Sequence, residues 1–208
     1  MHFESIHKRI AKGIVFALFV GAAVSAAAQV VPAANEGRNP LSVGAGFSYF
    51  DPDWGHTRMY GVTVWADYHP PNIPHILNGL GIEVEARDVD WNQGDKPPGF
   101  REATGGGGLI YEWRHFRTFK PYVKGLVSFG GIDFGENIGT PSFPYSHDTR
   151  TVYSPGLGVE VRAFRHVWAR VDYEYQFWPQ LTNNTFLNPQ GFTGGLMYDF
   201  RPGRRRRY

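Results

Sequence analysis

Large apolar residues alternate with small or polar residues along a ten-residue run near the end of the chain, residues 191–200. Successive side chains of a β-strand point to opposite faces, so Phe192, Leu196 and Tyr198 share one face with Phe200. The other face carries Thr193, Gly195, Met197 and Asp199. The run therefore predicts a strand with one apolar and one polar side.

Seven earlier runs repeat the same alternation. The eight predicted strands cover residues 41–50, 58–68, 80–91, 101–113, 120–132, 149–164, 167–178 and 191–200. Connections at 69–79, 114–119 and 164–166 alternate with loops at 51–57, 92–100, 133–148 and 179–190. The connections at 114–119 and 164–166 are short, whereas the one at 69–79 is long for this pattern. Eight strands of this length predict an all-β fold, a closed antiparallel eight-stranded transmembrane up-and-down β-barrel with its apolar faces toward lipid.

The composition fits such a barrel although it does not look like that of a membrane protein. The aromatic content is 16%, the chain contains 26 glycines, and the mean hydropathy is −0.35. Only alternate residues of a membrane-spanning strand face lipid, so a low mean hydropathy is compatible with membrane insertion.

The first 28 residues have the organisation of a secretory signal peptide. Lys8, Arg9 and Lys12 precede an uncharged apolar stretch at 14–24, and small residues follow at 25–28. The apolar stretch is too short for a transmembrane helix, so cleavage after Ala28 is predicted. The predicted organisation is a signal peptide at 1–28, a periplasmic lead-in at 29–39, the outer-membrane β-barrel at 40–201 and a basic tail at 202–208.

The charge of the mature chain argues against nucleic-acid binding, and the absence of cysteine excludes disulfides and thiolate metal sites. The formal charge of +2 falls to zero once the leader is removed, and an exported protein is not expected to bind nucleic acid. The chain contains no cysteine, so disulfides and thiolate metal sites are excluded.

Charged residues recur at the polar-face positions of several predicted strands. An isolated charge inside a barrel is costly, so these side chains are expected to form ion pairs that fill the lumen. The candidates are Glu83, Glu85, Arg87, Glu112, Lys124, Glu160, Arg162, Arg170, Asp172 and Glu174. An eight-stranded barrel is just wide enough for side chains to fill its interior, which favours a plugged lumen over an open porin.

The closing run resembles the C-terminal assembly signal of bacterial outer-membrane barrels at Thr193, Gly195, Tyr198 and Phe200. With the leader and eight alternating strands, the chain resembles the small outer-membrane β-barrel family typified by the OmpA transmembrane domain. The resemblance implies a monomer in the cell outer membrane, in contact with the lipid bilayer and lipopolysaccharide and inserted by the barrel-assembly machinery. It implies a structural or surface-interaction role centred on loops such as 133–148.

Three other readings stay open on the sequence alone. A narrow pore for small solutes would use the same barrel, and a lipid A- or peptide-processing enzyme would need a catalytic group at one rim. A soluble lipocalin-like barrel would have an apolar interior and a polar exterior.

The candidate catalytic residues are weak. Ser146, His147 and Asp148 are contiguous in a predicted loop, and Asp88 and Asp90 are expected to be solvated charges at a strand end. The histidines lack metal-ligand spacing. The sequence therefore predicts no enzyme, no cofactor and no metal.

Overall fold

The computed structural model describes residues 41–53, 58–70, 74, 77–91, 100–116, 118–134, 146–181 and 185–200. Ten strands lie within this part of the chain: β1 (Leu41–Asp51), β2 (Met59–Tyr68), β3 (Leu80–Trp91), β4 (Phe100–Glu112), β5 (Phe119–Asp133), β6 (His147–Arg162), β7 (Val167–Tyr175), β8 (Trp178–Leu181), β9 (Thr185–Leu187) and β10 (Gln190–Asp199). Eight of them form a closed antiparallel barrel in the order β1-β10-β7-β6-β5-β4-β3-β2, while β8 and β9 pair only with each other. The predicted fold class is confirmed.

The last strand closes the barrel by pairing with the first. Ser42 lies opposite Asp199 and Asp51 opposite Gln190, with an unbroken register between them. Closure pairs every strand edge, which a bilayer requires because its core offers no water to unpaired backbone groups.

The barrel has two distinct ends. We call the end where β1 begins and β10 finishes the terminal end; it also carries the connections at 69–79, 113–118 and 163–166. The opposite end, where β1 finishes and β10 begins, is the loop end. Antiparallel pairing throughout places every second connection at the same end.

The two faces of the barrel wall differ in polarity as the alternation predicts. Phe47 and Phe129 point outward and are 77% and 74% exposed, whereas Glu83 and Arg170 point inward and are buried. An apolar exterior around a charged interior is the reverse of a lipocalin, so that alternative is wrong for this chain.

Two details concern the bounds and regularity of the predicted strands. Strand β3 pairs with β2 and β4 without a register shift, and Val89 is buried between the outward Asp88 and Asp90. The charged end of β3 is thus a continuation of the strand, with no bulge. The predicted strand at 167–178 divides into β7 and β8, and the predicted loop at 179–190 contains the β8–β9 hairpin.

Among the residues that the structure describes, no helix has the length and apolar character needed to cross a bilayer. The predicted signal peptide, the lead-in and the tail, with Arg204 to Arg207, lie outside the described residues. Those boundaries remain predictions.

Candidate functional site in the barrel interior

The middle of the interior is organised around Lys124, an inward residue of β5. Its ammonium group is buried and has four carboxylates within 4.0 Å. The distances from Nζ are 2.6 Å to Glu85, 3.1 Å to Glu174, 3.2 Å to Glu83 and 3.7 Å to Asp172. One cation from β5 thereby joins acids of β3 and β7 across the barrel.

Arg87 on β3 forms the side of this network nearer the loop end. Its guanidinium donates two hydrogen bonds to Glu174, at 2.7 and 3.0 Å, and one to Glu85 at 2.6 Å. Such a two-point contact matches the planar guanidinium to the carboxylate and fixes the orientation of both. The Arg87 Cζ also lies 4.2 Å from the centre of the Phe50 ring.

Arg170 on β7 forms the side nearer the terminal end. It donates hydrogen bonds to Glu83 at 2.7 Å, to Asp67 at 3.2 Å and to the Tyr122 hydroxyl at 2.7 Å. The Tyr122 hydroxyl in turn donates to Asp172 at 2.8 Å. Arg87, Lys124 and Arg170 therefore share the carboxylates of a single connected network.

A second cluster lies at the terminal end and is centred on Glu112. Its carboxylate is 2.8 Å from Arg114 Nε and 3.2 Å from His69 Nε2. Lys120 pairs with Glu160 at 2.7 Å and lies 3.9 Å from Glu112. These buried charges close the polar interior on that side, where Trp65, Trp168 and Met197 form a small apolar cluster.

The loop end of the interior is closed by a larger apolar cluster. Each of β1 to β6 contributes a side chain, and the β8–β9 hairpin contributes Trp178 and Leu187. The buried members are Phe50, Met59, Val89, Phe100, Ile132, Phe134, Val152, Trp178 and Leu187. The hairpin thus completes the cluster, to which β7 and β10 contribute no buried side chain among the described residues.

Trp178 is connected to the central charged network by hydrogen bonds. Its indole Nε1 donates to Gln176 at 2.7 Å, and the Gln176 amide donates to Glu174 at 3.3 Å. Gly130 makes room for the ring, because a Cβ there would lie 2.2 Å from Trp178 Cη2.

The structure brings most of the sequence-predicted charged residues together. Glu83, Glu85, Arg87, Lys124, Arg170, Asp172 and Glu174 meet in the central network, and Glu112 and Glu160 meet at the terminal end. Arg162 does not join either cluster. It is the last residue of β6, it is exposed, and its Cζ lies 5.2 Å from the Trp168 ring centre.

Sequence reasoning left Asp67, Lys120 and Tyr122 out of the candidate set. All three are buried, and all three contact the charged clusters. Their inward-facing positions in the alternation of β2 and β5 are the sequence signal that could have identified them. Trp168 and Trp178 lie near the ends of the predicted strand at 167–178, where aromatic residues are typical of a membrane interface, yet both are buried inside the barrel.

The four residues of the predicted assembly signal divide between the two faces of β10. Thr193 is buried and shares a 2.8 Å hydrogen bond with Ser48, and Gly195 approaches the β1 backbone. Tyr198 and Phe200 point outward with ring centres 4.8 Å apart. Their role as a signal remains a prediction.

Ser146 immediately precedes β6, and the other candidate catalytic residues lie on strands, so His147 and Asp148 are not in a loop as predicted. His147 and Asp148 are consecutive on β6, and Asp148 pairs with Arg150 at 2.8 Å. Asp88 pairs with Arg101 on the outer face of the barrel. Within the described residues, no group of three or more His, Asp or Glu side chains is arranged to hold a metal ion.

A closed barrel of eight antiparallel strands, apolar outside and charged inside, defines an integral β-barrel membrane protein. A family model described as the outer membrane protein beta-barrel domain matches residues 14–200. The chain belongs to this family, and its family and fold place it in the lipid bilayer of the outer membrane. No curated protein matches the sequence significantly.

Several solved structures are similar in fold. Neisserial surface protein A has 18% sequence identity and a TM-score of 0.60, over 79% of this chain and 100% of that chain. Ail of Yersinia pestis has 14% identity and a TM-score of 0.48, over 79% and 100%. The N-terminal β-barrel domain of Pseudomonas aeruginosa OprF has 15% identity and a TM-score of 0.44, over 77% and 99%. At these identities the likeness concerns the fold alone.

Proposed function

We propose that this protein is a monomeric integral barrel of the outer membrane with a plugged, ion-paired lumen and a structural or surface-interaction role. A cleaved signal peptide exports it, and the barrel-assembly machinery inserts it beside lipopolysaccharide. The terminal end faces the periplasm and the loop end faces outward. Binding of surface partners is assigned to the loop-end connections, above all 133–148.

The filled interior is the observation that carries this proposal. The apolar cluster at the loop end, the central network around Lys124 and the cluster around Glu112 succeed one another along the barrel axis. An eight-stranded barrel has little space left once its inward side chains are placed. Solutes would have to break buried ion pairs to pass, which makes free conduction costly.

Conductance in planar bilayers tests the plugged lumen against the narrow-pore alternative. The purified full-length protein should give no current steps across a range of voltages, while an established porin recorded in the same bilayers should conduct. Stable steps that scale with the number of inserted molecules would contradict the plugged lumen and establish the pore.

We further propose that the protein has no catalytic role. The contiguous His147 and Asp148 alternate between faces of β6, so they do not converge as a catalytic pair would. Mass spectrometry of lipid A from cells with and without the protein should give the same species. A modified lipid A that appears only on expression, and disappears when His147 is replaced, would overturn this assignment.

A further inference from the structure

The exposed carboxylates among the described residues all lie at one end of the barrel. Within the described residues, every carboxylate that is not buried lies at the loop end: Asp51, Asp53, Asp88, Asp90, Asp133 and Asp148. The carboxylates nearest the terminal end, Asp67, Glu112, Glu160 and Asp199, are all buried. Among the described residues, the terminal end therefore presents exposed cations without exposed acids among them.

Two of those cations are arginines around the turn that connects β6 and β7. Arg162 and Arg165 are exposed, and neither lies within ion-pair distance of a carboxylate of the described residues. By contrast, Arg101 and Arg150 at the loop end each pair with an aspartate, and Arg58 at that end donates a hydrogen bond to the Tyr49 hydroxyl. Without an ion pair to a described carboxylate, both guanidinium groups remain available for another anion.

Exposed aromatic residues lie on the neighbouring strand and turns, since Phe119 is opposite Val161 in the barrel wall and Phe164 is in the same turn as Arg165. The backbone N–H of Arg162 donates to the Thr118 carbonyl at 2.8 Å, which holds the β6–β7 turn beside the β4–β5 turn. Phe116 and Phe119 stack with ring centres 4.2 Å apart, and Phe164 at the β6–β7 turn is 74% exposed. We call Arg162, Arg165, Phe116, Phe119 and Phe164 the collar. Aromatic side chains beside arginines are typical of the boundary between acyl chains and headgroups.

We propose that the collar binds the phosphate headgroups of anionic phospholipids in the leaflet around the terminal end. A guanidinium matches the oxygens of a phosphate and binds them with charge-assisted hydrogen bonds. The rings enter the apolar boundary beside the same lipid. The acidic loop end repels such headgroups, so the preference belongs to one end of the barrel.

Spin-label electron paramagnetic resonance tests this site in the intact protein. The full-length chain is reconstituted in phosphatidylcholine bilayers that contain trace spin-labelled phosphatidylglycerol or spin-labelled phosphatidylcholine. Each arginine near the headgroups should raise the ratio of bound anionic lipid to bound zwitterionic lipid by about a fewfold. The fraction of spin label that is immobilised at the protein surface should therefore be about three- to fivefold higher for phosphatidylglycerol than for phosphatidylcholine at low salt. The preference should shrink at 1 M salt, where the screening length is about 3 Å.

The decisive comparison uses two double variants with the same change in net charge. Arg162→Gln/Arg165→Gln should remove most of the preference, whereas Arg58→Gln/Arg150→Gln at the loop end should keep it. Heat-modifiable electrophoretic mobility checks that both variants fold. An equal loss of preference in both variants would show that only the net charge matters. An unchanged preference in Arg162→Gln/Arg165→Gln would show that the lipid binds at another part of the barrel. Either result overturns the proposal.

Discussion

At the residue scale, Lys124 is the clearest test of the interior electrostatics. It is buried with four carboxylates within 4.0 Å, three of them within 3.2 Å. Lys124→Met should destabilise the barrel by about 3–5 kcal/mol, because removing one partner of a buried ion network leaves the others uncompensated. Reversible urea unfolding in lipid vesicles measures this change.

Lys120→Met is the matched control on the same strand. Lys120 has one close carboxylate, Glu160 at 2.7 Å, and a second at 3.9 Å, and its side chain is slightly accessible. Its replacement should cost clearly less than that of Lys124. A larger loss for Lys120→Met would contradict the central role of Lys124.

The sequence predicts which face a residue occupies better than it predicts the partner of that residue. Arg170 and Arg162 share inward parity, yet only Arg170 lies in the middle of its strand, flanked by paired strands on both sides. Arg162 ends β6, where the barrel wall itself stops, so its side chain reaches solvent. The alternation of apolar and polar residues does not reveal where the barrel wall ends, because strand boundaries are set by pairing with neighbouring strands.

At the element scale, two adjacent glycines of β10 test the seam that closes the barrel. A Cβ on the inward Gly195 would lie 2.3 Å from the Ala45 carbonyl oxygen of β1, whereas a Cβ on the outward Gly194 meets nothing within 4 Å. Gly195→Ala should therefore cost about 1–3 kcal/mol through strain at the seam. Gly194→Ala should stay within about 0.5 kcal/mol of the wild type.

Vesicle unfolding experiments on both glycine variants give these values directly. Equal stabilities would mean that β1 and β10 have room to separate. The seam would then be looser than the observed register from Ser42 to Asp51 implies.

The β8–β9 hairpin provides a second test at this scale. Trp178 is fully buried in the loop-end cluster, while Phe186 on the same hairpin is 69% exposed. Trp178→Ala should destabilise the barrel by about 3–5 kcal/mol by leaving a cavity, and Phe186→Ala should have little effect. Urea midpoints for the two variants check this, and equal midpoints would show that the hairpin does not seal the interior.

Most elements were predictable from the sequence, and the hairpin was not. Strand β3 has the predicted bounds, and β1 extends beyond its prediction by one residue, because their alternation is unbroken. Residues 179–190 do not alternate between apolar and polar, so the local sequence does not predict the pairing of β8 with β9. Trp178 and Leu187 fold inward because the apolar cluster of β1 to β6 needs a cover, which is a tertiary requirement.

At the scale of the whole molecule, we expect insertion to depend on the outward aromatic residues at the end of β10. Phe200→Asp places a charge beside Tyr198 at the lipid-facing surface and should block assembly. Deletion of residues 203–208 should be tolerated. Cell fractionation measures both, and the opposite pattern would make Tyr208 the assembly signal.

The chain forms a closed barrel inserted in the outer membrane, and electrophoretic mobility of the membrane fraction tests this most directly. The unheated full-length protein should run in SDS gels at a position different from that of the heated protein, and heating should convert the first band fully to the second. A protein recovered in the soluble fraction, or one whose mobility is the same with and without heating, would contradict the account.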